Sequence, residues 1–214
     1  MRSRLVGLVG ALSVAVIVVM GRPLGAQEVA EDVPSFGIAG KVGIVFPQVA
    51  TELQTTWGLE LEASYLLPPM DRRIGVFLAA GYTQPEVSRT SLQDPRVGGS
   101  YDGTQTQKEL TLGAGAVFRF LRPTSEWNAY VAAGLRVYFL QTVTVGSAGG
   151  SDFGENTEQS THVGGVFALA GERRLGPGAL VLEVQLGTSS LPHLITGDVS
   201  TGALAVAVGY RLFL

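Results

Sequence analysis

Acid–base or nucleophilic chemistry has few side chains to run through in this chain. It contains two histidines, His162 and His193, and no cysteine. His193 lies beyond Ser189 and Ser190, and His162 follows Ser160 and Thr161. A histidine near a hydroxyl is part of what a lipid hydrolase or acyltransferase needs, together with a carboxylate that orients the ring. No Gly-x-Ser-x-Gly elbow is present. Hydroxyl and imidazole groups in loops are ordinarily just solvated, so no catalytic residue is assigned. Asp152, Glu155 and Glu158 offer hard oxygen ligands of the kind that suit Ca²⁺. Their spacing matches no EF-hand loop, and a solvated acidic loop is the simpler reading. No metal ligand set and no cofactor motif is assigned. The lack of cysteine also excludes a disulfide framework and any thiolate site.

The segments that could position these groups begin after an export leader. Arg2 and Arg4 precede an uncharged apolar run from Leu5 to Met20, and Leu24-Gly25-Ala26 supplies small residues before Gln27. Residues 1–26 therefore read as a cleaved signal peptide, the apolar run falling short of the ~17 residues a spanning helix needs. Three of the 15 basic residues lie in that leader, so twelve remain against 18 acidic ones. This mildly acidic balance argues against nucleic acid as a partner class. Charged residues make up only 15% of the chain, where soluble proteins carry roughly 25%. No second long apolar run follows, so a helical membrane protein is excluded. A β-barrel is the other way to satisfy every backbone group in lipid.

Period-two alternation marks eight strands after a polar lead at residues 27–35. They are read as Phe36 to Phe46, Thr56 to Leu66, Ile74 to Thr83, Thr106 to Phe120, Trp127 to Val145, Gln159 to Arg173, Ala179 to Thr188 and Val199 to Leu214. Each has one face of large apolar side chains. The other face carries Gly, Ala and occasional charges. In the last strand Leu204, Val206, Val208, Tyr210, Leu212 and Leu214 alternate with Ala203, Ala205, Ala207, Gly209, Arg211 and Phe213. The joins at Leu67 to Arg73, Leu121 to Glu126 and Arg174 to Gly178 are short. Those at Pro47 to Thr55, Gln84 to Gln105, Gly146 to Glu158 and Ser189 to Asp198 are long. Short turns on one side and long loops on the other are the pattern of a transmembrane barrel. Phe36, Tyr65, Phe118, Phe120, Trp127 and Tyr210 fall at one expected interface, and Phe46, Trp57, Tyr82 and Phe139 at the other.

From residue 35 to 214 the chain resembles the small eight-stranded outer-membrane barrels of Gram-negative bacteria, the OmpA, OmpX and OmpW kind. The closing strand carries the resemblance, with apolar residues at every second position: Val206, Val208, Tyr210, Leu212 and Leu214. The family ends on an aromatic, and Leu214 departs from that. The resemblance implies an all-β, eight-stranded antiparallel up-and-down transmembrane β-barrel in the outer membrane. It also implies a monomer in contact with outer-membrane lipids and lipopolysaccharide, whose last strand is read by the outer-membrane assembly machinery.

With lipid on the large-residue face, the charges on the other face meet in the lumen. Lys41, Arg119, Arg136 and Arg211 would face Glu60, Glu62, Glu109 and Glu183, with Glu172 a further inward candidate. An eight-stranded barrel is only wide enough for its own side chains, and unpaired buried charges cost several kcal/mol each. A salt-bridge network that plugs the lumen is therefore expected, with a structural or surface-interaction role for the protein. A porin-like, narrow channel for small or apolar solutes is the alternative. A soluble ligand-binding barrel would turn the Gly/Ala/Arg/Glu face outward, which is too poor in Lys, Ser and Asp for a solvated surface.

Overall fold

The computed structural model describes residues 34–47, 53–94, 99–148, 151–190 and 200–214. The expected signal peptide, most of the polar lead and His193 lie outside them. The strands are β1 (Phe36–Phe46), β2 (Thr56–Leu66), β3 (Ile74–Thr83), β4 (Glu86–Asp94), β5 (Gly99–Arg119), β6 (Trp127–Ala148), β7 (Ser151–Leu175), β8 (Gly178–Ser190) and β9 (Ser200–Phe213). A 3-10 turn at Pro69–Arg72 joins β2 to β3, and no α-helix occurs among the described residues.

Every pairing is antiparallel, and β9 lies between β8 and β1, with Ile38 opposite Leu212 and Val42 opposite Val208. That contact closes the sheet. β3 and β4 both pair with β5, β3 from Ile74 opposite Phe118 to Thr83 opposite Glu109, and β4 from Glu86 opposite Thr106 to Asp94 opposite Gly99. They are two halves of one barrel strand, so the barrel has eight. The interruption falls at Gln84-Pro85, because proline has no N–H to give to the ladder. Its carbonyl still accepts the Gln107 N–H at 2.9 Å.

The sequence reading placed the bounds of β1, β2 and β3 where they lie. It read 84–105 and 146–158 as long loops, and both are mostly ladder. β4 and the first part of β5 pair across the former, and β6 and β7 pair up to Ala148 opposite Ser151 across the latter. The reason is physical. A strand with water on both faces has no apolar stripe, so its pairing leaves no period-two signature. β1, β2 and β3 have 11, 11 and 10 residues, close to the ~9–11 that a tilted strand needs to cross the hydrocarbon. β5, β6 and β7 have 21, 22 and 25. Their outer halves extend past the membrane as a polar sheet with β4, on the side opposite the short turns. Short turns are periplasmic in such barrels, so this sheet is extracellular.

Large apolar side chains cover the outside of the membrane half. Ile38, Val42, Ile44, Leu59, Leu61, Leu78, Leu112, Leu135, Phe167, Leu182 and Val208 are all exposed. In the turn from β7 to β8, Gly176 adopts φ +60°, a left-handed conformation that costs glycine nothing. Two aromatic levels bound the apolar band. At the outer level the Trp57 and Tyr82 rings are 6.5 Å apart, and Phe139 shares a register row with Tyr82 through Leu110. At the periplasmic level Phe118 and Phe120 meet edge to face at 5.5 Å. There the Arg173 guanidinium also lies 5.0 Å above the Trp127 ring.

Candidate functional site

The alternation that puts leucine and valine in lipid puts charge in the lumen. Lys41 on β1 is buried, and its Nζ donates to Glu62 (2.6 Å) and Glu60 (3.0 Å) on β2 and to both oxygens of Glu183 (2.9 and 3.0 Å) on β8. Small residues make this reach possible. Opposite Lys41 stands Gly209, where a Cβ would come within 2.9 Å of the lysine Cγ.

Nearer the periplasmic end, Arg211 on β9 is 1% exposed. It donates to Glu62 at 2.6 Å and forms an ion pair with Glu172 on β7. Arg119 on β5 pairs with the same Glu172. The Tyr130 hydroxyl, on β6, donates to Glu183 at 2.6 Å and accepts from Arg211 at 3.3 Å. Its ring lies under both guanidinium groups, 4.9 Å from that of Arg211 and 5.6 Å from that of Arg119. These side chains come from β1, β2, β5, β6, β7, β8 and β9, so the network ties seven of the nine strand segments together.

Towards the extracellular end, Arg136 donates to Glu60 at 3.1 Å, and Gln185 donates to Glu60 (3.2 Å) and Glu183 (3.2 Å). A cavity of about 80 Å³ begins at this level, lined in part by Lys41, Glu60, Glu109, Arg136, Tyr138 and Gln185. Among the described residues Glu109 makes no ion pair; its only hydrogen bond there is from the Gln107 amide at 3.4 Å.

The structure thus brings Lys41, Glu60, Glu62, Arg119, Arg136, Glu183 and Arg211 into one network centred on Lys41, with Glu172 joining Arg119 to Arg211 at its periplasmic end. It leaves Glu109 at the network's edge. Sequence reasoning did not single out Tyr130 or Gln185, though both share inward parity with the charges. Parity gives the face of a strand but not the height in the barrel, and height is what separates Glu109 from the rest. The outward residues of the closing strand, Val206, Val208, Tyr210 and Leu212, stand between β1 and β8. Leu214 donates its N–H to the Phe36 carbonyl at 2.8 Å and accepts from the Phe36 N–H at 3.3 Å.

Among the described residues the candidates for metal binding do not assemble, and His193 lies outside them. His162 faces inward on β7 opposite Tyr138, and its Nε2 has no hydrogen-bond partner among the described residues. Glu155 and Glu158 stand on β7 rather than in a loop. Among the described residues no three acidic or histidine groups are placed to hold a metal ion.

No family model matches this chain, and no curated protein does. Solved structures do. A major outer membrane protein from Thermus thermophilus aligns over 84% of this chain and 98% of its own, with TM-score 0.56 and 14% identity. OprG from Pseudomonas aeruginosa, an outer membrane protein, aligns over 85% of this chain and 97% of its own, with TM-score 0.54 and 14% identity. This chain has the outer-membrane β-barrel fold. A third similar structure is that of Neisserial surface protein A, at TM-score 0.47 and 16% identity, covering 84% of this chain and 97% of that one. At such identities the likeness speaks to fold. That fold and the lipid-facing band place this outer-membrane barrel in the outer membrane.

Proposed function

We propose that this barrel is a non-catalytic outer-membrane protein whose lumen is closed by its own charges and whose role is structural or surface-interacting. The observation that carries the reading is Lys41, whose ammonium bridges carboxylates on β2 and β8 across the lumen. A charge held by three carboxylates fills the lumen at that level with side chains rather than with water. Work at the cell surface then falls to the polar sheet formed by β4 and the outer halves of β5, β6 and β7. The protein acts as a monomer. Outer-membrane lipids and lipopolysaccharide contact its apolar band, and the assembly machinery reads β9. Purified protein in planar bilayers tests the reading. A silent membrane is expected, and discrete conductance steps from the wild type would overturn it in favour of a narrow channel for small or apolar solutes.

A further inference from the structure

The two ends of the barrel carry opposite charge. Over residues 86–94, 99–108, 140–148 and 151–160 the extracellular sheet has six carboxylates against Arg89 and Lys108. The short turns, at residues 67–73, 121–126 and 173–178, have five arginines (Arg72, Arg73, Arg122, Arg173 and Arg174) against Asp71 and Glu126. One of these arginines stands on the lipid face. Arg173 is exposed and shares the outward parity of Phe167 and Leu169 on β7. It lies opposite Trp127 on β6 and Leu180 on β8, with its guanidinium 5.0 Å above the Trp127 ring. Stacking uses the face of a guanidinium and leaves the N–H fork in its plane free to bond. Asp71 pairs with Arg122 at 3.3 Å, and among the described residues no carboxylate pairs with Arg173.

One row deeper in the membrane, the outward residues are Ala129, Gly171 and Leu182. A Cβ built on Gly171 would meet nothing within 4 Å. Small side chains on two adjacent strands therefore leave a depression in the apolar band. Trp127 and Arg173 stand at its headgroup edge, Leu182 at its side and Leu169 on the next row in.

We propose that this is a binding site for an anionic phospholipid of the periplasmic leaflet. The Arg173 fork takes the phosphate, whose oxygens match it in bidentate fashion. The arginine stem lies along the apolar wall while its head reaches headgroup level. The glycerol backbone and first methylenes of the lipid fill the depression over Ala129 and Gly171. A zwitterionic headgroup brings its own ammonium, which competes with Arg173 for the phosphate. A headgroup with net negative charge brings no such competitor, and the surplus arginines of the turns draw it to this rim. The carboxylates at the other end give the outer leaflet no such attraction. The inference rests on the short turns being periplasmic and not on the state of the lumen.

The test is quenching of tryptophan fluorescence in the folded full-length barrel by lipids brominated near the top of the acyl chain. The vesicles are phosphatidylcholine with rising fractions of brominated phosphatidylglycerol or, separately, brominated phosphatidylcholine. Salt is held at about 0.15 M, where charges more than ~8 Å apart are largely screened. The chain has two tryptophans, so Trp57→Phe leaves Trp127 as the reporter. Phosphatidylglycerol is expected to be preferred over phosphatidylcholine at Trp127 by about fivefold, the worth of one arginine at an anionic lipid surface. Trp127→Phe, which leaves Trp57 to report from the outer level, is expected to show no preference. In the Trp57→Phe background, Arg173→Gln is expected to lose most of the preference, and Gly171→Leu, which fills the depression, to lower it. Equal quenching by the two lipids at Trp127, a preference as strong at Trp57, or a preference that survives in full in Arg173→Gln or Gly171→Leu would each overturn the proposal. Conductance is a separate readout, so failure of the lipid site would leave the closed-lumen reading standing, and conductance steps would leave the lipid site standing.

Discussion

β5, β6 and β7 follow one rule in their lower halves and another in their upper halves. Below the outer aromatic level, one face meets lipid and the other meets charge, and each residue type is fixed by which medium it faces. Above it, no face meets lipid, Gln107 and Thr142 lie buried on the inner face, and Thr, Gln, Ser and Gly recur without an apolar stripe. Lipid supplies no hydrogen bonds, so in the lower half a misplaced charge has nothing to relieve it. Water relieves most substitutions on the outward face of the upper half. The same ladder thus runs from a region where side chains are tightly specified into one where the backbone does most of the work.

Four substitutions test that contrast by urea unfolding in detergent, from the largest expected effect to the smallest. Lys41→Met leaves Glu60, Glu62 and Glu183 without their shared cation, and a loss of about 3–5 kcal/mol is expected. An unchanged midpoint would mean that the charge network carries no stability. Leu135→Arg puts a charge on the lipid face near the middle of β6 and is expected to cost ~2–4 kcal/mol. Tyr130→Phe keeps the ring beneath the two guanidinium groups and removes the bond to Glu183. A loss of roughly 1.5–3 kcal/mol is expected, the range for hydrogen bonds to charged groups. Val145→Arg stands on the same outward face of β6 as Leu135 and is likewise exposed, but in the extracellular half. It is expected to shift stability by no more than about 0.5 kcal/mol. Equal costs at positions 135 and 145 would erase the distinction between the two halves and with it the membrane boundary at Phe139.

The lower half was legible in the sequence for the same reason that it is sensitive. Trp57, Leu59, Leu61, Ala63 and Tyr65 alternate with Gly58, Glu60, Glu62 and Ser64, and a pattern that strict has one strand solution. The ends of β1, β2 and β3 were sharp because Pro47, Pro68-Pro69 and Gln84-Pro85 punctuate them. β4 was missed because the strand was read to end at Thr83, whereas Pro85 only interrupts it. The outer parts of β5, β6 and β7 were missed because the pairing there rests on backbone bonds that no side-chain period reports. In the lumen, alternation identified the charged set, and only the three-dimensional register could show that Glu172 holds two arginines while Glu109 holds none.

The charge network also bears on how the chain comes together. Lys41 and Glu183 are 142 residues apart in sequence, and Glu62 and Arg211 are 149 apart. Neither pair can meet until the last two strands return to the first two. Before that seam is sealed, the groove of the half-built barrel carries separated charges that hold water in it. Once β9 reaches β1, the opposite charges come within bonding distance and the water they held can leave. The ion pairs are in this sense a record of completed assembly. A barrel that has stalled one strand short should be wet inside, and one that has finished should be dry at the level of Lys41.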